Sequence, residues 1–395
     1  MKISKSLFLA FAGLGLFACS NEEFNENQPL EGVGAVSIKI EAPTMTRSSL
    51  GTSGESVKVV PQADTKVIVK LSASSGAQTI ELTPEQWSKG SVVTFWNVEN
   101  PTGVTVEMNG GVASYDAVNI STLQTMPAAI PVYGSTTTFT ATDRNESPNL
   151  KDDHQTGANT GDDTKKYQIF TAEVQLEIPV ARLEVSGIKH VEHKGADEKD
   201  ECMFATLTID GVYMDNIKPT GAGSRTDYQF VSGGNGTGGE AILKEAISAP
   251  DNDFMAASAV WPKEPKNAYA FNFYAPTKEE IDAAEKVVDD EGTEDIDEAL
   301  AAKQALNPKF KIYFAEATGA AEPVTQPRYA MITNYKDEAG NSIILKKGTV
   351  YRIIDATLLD KNIIGDEGGN TLYGVEVTVK EAQWTVETIE ADWAE

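Results

Sequence analysis

Cysteine, histidine and positive charge are all scarce in this chain. Its 395 residues hold two cysteines, three histidines, and 33 lysines and arginines against 59 acids, a formal net charge of -26. Two thiols allow at most one disulfide, so the chain is not a disulfide-stapled scaffold. The acidic excess repels nucleic acid and anionic membrane surfaces, which argues against both as partners. It also keeps a protein soluble at high concentration. After the first 20 residues there is no apolar run long enough for a membrane-spanning helix, which needs about 20 residues. No repeat of 20–50 residues is present, which excludes solenoids and propellers.

Catalytic motifs are missing too. There is no G-x-S-x-G, no H-E-x-x-H and no Cys/His constellation of the kind nucleophilic or metal hydrolysis uses. His190, His193 and Cys202 are of zinc-ligating type, but "KGADEKDE" before Cys202 is loop-like and no fourth ligand is evident. The acidic pairs Asp152-Asp153, Asp162-Asp163 and Asp366-Glu367 do not follow the calcium-loop spacing. "GGNGTGG" contains G-x-G-x-x-G at Gly234, Gly236 and Gly239. Its surroundings lack the β-α-β context of a dinucleotide site, so it reads as a glycine-rich hairpin loop. A carboxylate pair for glycoside hydrolysis is not singled out among 59 acids. The residue chemistry points to a non-enzyme with no cofactor and no metal.

What is present begins with an address. Lys2 and Lys5 precede the apolar run "SLFLAFAGLGLFA", and the segment closes on "LFAC". This reads as a signal peptide over residues 1–18 ending in a lipobox, with Cys19 as the residue expected to take lipid, rather than as a plain secretory signal with an accidental cysteine. Acyl chains on Cys19 would hold the protein to a membrane. Cys202 is then left without a disulfide partner.

The body alternates apolar and polar residues between Gly, Pro, Asn and Asp punctuation, the pattern of an all-β protein. Thr65 to Ser72, Ser91 to Val98 and Gly103 to Met108 are typical runs. The polar stretch from Arg144 to Lys166 reads as a loop. Pro179 interrupts "EVQLEIPVARLEV" and cannot donate to a central ladder, which puts a domain boundary near residues 178–184. One segment, Thr277 to Leu306, reads as helical. Thr277 and Glu280 form a capping box, Gly292 divides the segment into two short helices, and Pro308 closes it. With eleven acids against three lysines, it reads as a surface insertion or an acidic partner-binding arm.

Two terminal stretches share a pattern. In "GVGAVSIKIEAP", Val36, Ile38 and Ile40 face one way and Ser37, Lys39 and Glu41 the other, as in a half-buried strand. Small polar residues follow, with Arg47 alone among them as a basic residue, a good site for proteolysis. At the other end Val375, Val377 and Val379 alternate, then come Trp384, Val386, Ile389 and Trp393. If the first strand were removed, its groove would accept an added strand. A tail strand from a second copy would make a head-to-tail contact that propagates. Equally, both strands could simply complete their own sheets.

In the order "LFAC", the strand before "TMTRSS", "EVQLEIPVARLEV", "LKKGTVYRIIDATLL" and "EAQWTVETIEADW", the chain resembles the fimbrillin family of the Bacteroidales. The resemblance implies two transthyretin-like β-sandwich domains, 48–180 and 181–395, behind a lipidated propeptide, 19–47. It implies export to the cell surface as an outer-membrane lipoprotein, palmitate among its acyl chains. Glu22 and Glu23 resemble the surface-export signal that follows the lipidated cysteine in this phylum. The family pattern places cleavage by a trypsin-like surface protease between Arg47 and Ser48. The implied function is that of a fimbrial subunit, polymerised with copies of itself by donor-strand exchange and joined to anchor and tip subunits. An anchor or tip adhesin is the alternative within the family, and a surface glycan-binding lipoprotein or glycan-active enzyme outside it. The acidic insertion departs from the family pattern.

Overall fold

The computed structural model describes residues 34–41, 57–89, 93–125, 127–143, 168–185, 188–190, 204–226, 269–286, 296–319, 323–324, 328–353, 356–359, 362–363 and 374–386. The protein is mostly β, as the alternation predicts, with few helices. In the first half the strands are β1 (Gly34–Glu41), β2 (Val57–Val59), β3 (Val67–Ala73), β4 (Gly76–Leu82), β5 (Val93–Val98), β6 (Pro101–Met108), β7 (Val132–Thr136), β8 (Thr140–Asp143) and β9 (Gln168–Glu177). In the second half they are β10 (Ala181–Val185), β11 (Ile188–His190), β12 (Phe204–Asp215), β13 (Tyr269–Phe273), β14 (Lys309–Gly319), β15 (Pro323–Val324), β16 (Arg328–Lys336), β17 (Thr349–Ile353), β18 (Ala356–Leu358), β19 (Val375–Thr378) and β20 (Lys380–Val386). Three short helices are α1 (Pro84–Ser88), α2 (Lys278–Lys286) and α3 (Ile296–Leu306).

The first half forms one eight-stranded sheet, β4-β3-β6-β7-β9-β1-β5, with β8 also paired to β9. Alternation is visible in its burial. Val67, Val69 and Leu71 face inward on β3, while Lys70 and Ser72 face water. Helix α1 starts as its residues dictate: Thr83 and Gln86 exchange capping bonds and Pro84 opens the first turn.

The chain leaves this sheet at Glu177 and enters another at Ala181, across Ile178, Pro179 and Val180, none of them in a strand. Two larger sheets follow, β13-β10-β17-β20-β2 and β12-β14-β16-β19, with β15 on β14, and a separate pair β11-β18. The two larger sheets share a core: the Phe271 ring on β13 meets Phe310 on β14 edge-on, with centroids 5.8 Å apart. Strand β2 comes from near the start of the chain yet pairs in parallel with β20, Val57 opposite Trp384 and Val59 opposite Val386.

The halves also meet through loops. The Gly221 amide donates to Tyr115 O at 3.0 Å, and Ile120 donates to Pro219 O at 2.8 Å. The predicted helical insertion is anchored on this same segment. The capping box is present, with Glu280 N donating to Thr277 Oγ1 and Thr277 N to Glu280 Oε2. The Glu280 carboxylate also receives Lys218 at 2.9 Å and Arg225 at 2.7 Å. At the far end of α3, Asn216 Nδ2 donates to the carbonyls of Ala305 and Asn307. Arg225 Nε donates to Leu306 O. Both outer ends of the insertion are thus tied to residues 216–225. The dividing Gly292 lies outside the described residues.

Candidate functional site

Among the described residues, no group of three or more His, Cys, Asp or Glu is placed to hold a metal ion, and no helix is long and apolar enough to cross a membrane. Cys202, His193, the glycine-rich run at 234–239 and the acidic pairs at 152–153, 162–163 and 366–367 lie outside the described residues. The distinctive feature is a strand whose removal would leave a gap within a sheet.

Strand β1 runs between β9 and β5. It is parallel to β9, with Val36 opposite Phe170, Ile38 opposite Ala172 and Ile40 opposite Val174. It is antiparallel to β5, with Val36 opposite Phe95 and Ile38 opposite Val93. Val36, Ile38 and Ile40 are fully buried, as their alternation predicts. Each buried side chain of this size contributes about 1.5–3 kcal/mol relative to exposure, so the three together hold the strand by roughly 5–9 kcal/mol before any ladder hydrogen bond is counted.

The opposite face differs from the expected polar one. Ser37 is fully buried, and its hydroxyl has no hydrogen-bond partner among the described residues. Ala35 is buried as well. Only toward the end of the strand does the face open to water, where Lys39 pairs with Glu41 at 2.5 Å and approaches Glu173 at 3.9 Å. The hydrogen bond from Lys39 holds the Glu41 carboxyl below its ordinary range.

Removing β1 would strip a ladder partner from β9 along Ile169 to Gln175 and from β5 along Val93 to Val98. It would also open an apolar trough where three side chains had been. Unpaired strand edges flanking an apolar trough are a template for another strand. Cutting the chain does not by itself empty the trough, because the noncovalent hold remains. It does turn an intramolecular contact at an effective concentration near millimolar into a bimolecular one. At micromolar protein that loss of tether is worth about 4 kcal/mol.

The expected donor residues lie elsewhere. Val375 and Val377 on β19, and Val379 just after it, are buried in this chain's own core, and β19 pairs with β16. Trp384 and Val386 lie on β20, opposite Val57 and Val59 of β2, while Lys380 to Gln383 pair with β17. Ile389 and Trp393 lie outside the described residues, as do Cys19, Arg47 and Ser48. Within one chain, then, the described donor residues and β1 belong to different sheets.

Sequence reasoning also missed a buried ionic group. Arg182 and Glu184 alternate on β10 like a solvent face, yet both are buried. Glu184 accepts from Arg182 Nε at 2.7 Å and from Arg352 Nε of β17 at 3.0 Å. Opposite charges two residues apart on one strand face were the available signal.

No family model matches the chain, and no curated protein matches it in sequence. Solved structures do resemble it. A candidate cell-adhesion protein from Bacteroides eggerthii superposes over 91% of this chain and 99% of its own, with a TM-score of 0.46 and 12% identity. A second, from Parabacteroides distasonis, covers 90% of this chain and 100% of its own, with a TM-score of 0.42 and 13% identity. A fimbrilin from Porphyromonas gingivalis covers 90% and 99%, with a TM-score of 0.40 and 10% identity. These three structures are two candidate cell-adhesion proteins and a fimbrilin, all from Bacteroidales.

Proposed function

We propose that this protein is a structural subunit of a cell-surface fimbria that polymerises by exchanging β1 for a strand of a second copy. The observation that carries the reading is β1 itself. It is an inner strand of its sheet, its three alternating apolar side chains are fully buried, and it ends at Glu41, shortly before the basic residue Arg47. Such a strand fills a groove until the chain is cut, and the cut makes it replaceable.

The rest of the pathway follows from that role. Lipid on Cys19 tethers the precursor to the outer membrane. A trypsin-like surface protease cuts between Arg47 and Ser48. The released piece carries the anchor and β1 away together, leaving two transthyretin-like sandwich domains, 48–180 and 181–395. Polymerisation is thereby confined to the cell surface, since the groove is filled during export. Anchor and tip subunits would end the polymer by the same contact.

The burial of the described tail strands supports a donor segment beyond them. Through Val386 every described tail strand is engaged in its own chain, and Val375 and Val377 on β19, with Val379 just after it, are buried. Withdrawing those valines would cost as much as filling the groove gains. The donor is therefore residues 387–395, with Ile389, Ala391 and Trp393 on one side of an extended strand, aided by Trp384 and Val386 if β20 parts from the three-residue β2.

The test is direct. Protein cut after Arg47 should form fibres visible by electron microscopy, with Ser48 as the new N-terminus, and uncut protein should stay monomeric. Fibres from uncut protein, or none from cut protein at high concentration, would remove the reading.

A further inference from the structure

Among the described residues, the second-half sheet β13-β10-β17-β20-β2 has two outer edges, β13 and the very short β2. The β13 edge is where strand addition would be expected, since it is a five-residue run of buried, mostly apolar residues. Next to its last residue, Asn272 stands opposite Arg182 of β10. Its backbone N–H and C=O both go to the carboxamide of Gln124, from the first half. Asn272 N donates to Gln124 Oε1 at 2.9 Å, and Gln124 Nε2 donates to Asn272 O at 2.7 Å.

One acceptor and one donor side by side is what a peptide group of a neighbouring strand would offer. Here a side chain stands in for a strand. The loop behind it is pinned along the same edge. Asn272 Nδ2 donates to Leu123 O at 2.7 Å, Arg182 Nη1 to Thr125 O at 3.1 Å, and Tyr274 OH to Val118 O at 2.9 Å. The first sheet uses the same device more sparingly: Gln78 Nε2 on β4 donates to the Trp96 carbonyl of β5 at 2.8 Å.

We propose that Gln124 and its loop seal the β13 edge against a second copy of this chain, leaving the β1 groove as the place where copies join. This rests on the strand-exchange reading for its purpose, though not for its geometry. An open β13 edge would pair with the β13 edge of another copy across a two-fold axis. Such an isologous contact closes on itself as a dimer and stops growth, whereas groove and tail form a head-to-tail contact that continues. The seal thus removes a chain-terminating contact.

The experiment uses the uncut precursor, in which β1 still fills its groove. The double variant Gln124→Ala, Tyr274→Phe deletes both hydrogen bonds of the clamp and one that pins its loop. Gln124→Glu keeps only the acceptor. In sedimentation velocity over a range of concentrations, the unaltered precursor should remain monomeric. The double variant should rise to a mass of two copies and stop there, with the Asn272 amide protected from exchange in the dimer, and Gln124→Glu should dimerise more weakly. Folded variants that stay monomeric at every concentration overturn the proposal. So does growth beyond two copies, or a dimer with an exposed Asn272 amide. If the double variant does not fold, Gln124→Glu carries the test under the same criteria. Failure of cut, unaltered protein to form fibres would remove strand exchange and leave the seal standing. Monomeric variants beside normal fibres would remove the seal alone.

Discussion

The carbonyl oxygen of Tyr115 lies 2.6 Å from where a β-carbon on Gly221 would stand, and it accepts the Gly221 N–H at 3.0 Å. Backbone from the first half thus rests directly on backbone from the second, with no room for a side chain. Gly221→Ala should push the two loops apart and lower stability by about 1–3 kcal/mol, the usual cost of forcing an extra carbon into a packed site. Urea unfolding reads this out. A variant as stable as the parent would mean that the contact yields without loss.

Ile38 is fully buried on β1 between Ala172 and Val93. Ile38→Ala should destabilise the uncut precursor by about 2–5 kcal/mol, while Lys39→Ala, half-exposed on the same strand, should change it by roughly 0.5 kcal/mol or less. Denaturant midpoints compare the two. Equal effects would show that β1 is not held by its apolar face.

Ser37 buries a hydroxyl that has no partner among the described residues. Ser37→Ala removes that unmet group and should leave the precursor unchanged or stabilise it by up to about 1 kcal/mol. Ser37→Asp should destabilise it clearly, because a buried unpaired charge costs more than a hydroxyl. Thermal unfolding of the pair checks the order.

The Glu280 carboxyl is partly buried, which by itself would raise its pKa. Hydrogen bonds from Arg225, the Thr277 amide and Lys218 outweigh that and bring it down to about 2 from 4.5. A carboxylate whose folded pKa is depressed stabilises fully above its unfolded value and loses that contribution as pH falls through the folded one. The parent should therefore hold its advantage over Glu280→Gln above pH 4.5, lose it progressively on acidification, and match it only below about pH 2. Stability against pH for both proteins decides it. A constant gap across this range would contradict the linkage.

Strand β20 ends at Val386, so removing residues 387–395 leaves every described ladder intact. The truncated protein, cut after Arg47, should fold and stay monomeric. Arg47→Ala should stay monomeric for a different reason, by resisting the protease. Fibres from the truncated protein as abundant as from the full chain would exclude the tail as donor.

Much of this was legible in local pattern. The alternation of Val36, Ile38 and Ile40 foretold their buried face, and Thr277 with Glu280 foretold the helix start, because strand facing and helix capping depend on residues within a few positions of one another. Other features were hidden. Ser37, Arg182 and Glu184 follow the same alternation as solvent-facing residues, and nothing beside them in the chain says that their face is covered. Gln124 sits in an unremarkable "STLQT", and its role depends on Asn272, far along the chain.

The chain by itself determined the β class, the charge, and an apolar alternating strand shortly before an arginine. These are set by composition and by a period of two. Tertiary structure alone decided that β1 lies between β9 and β5, that β2 crosses to pair with β20, and that a glutamine amide closes the edge of β13. Each depends on which distant segments meet, and non-local pairing is chosen by the packing of the whole core.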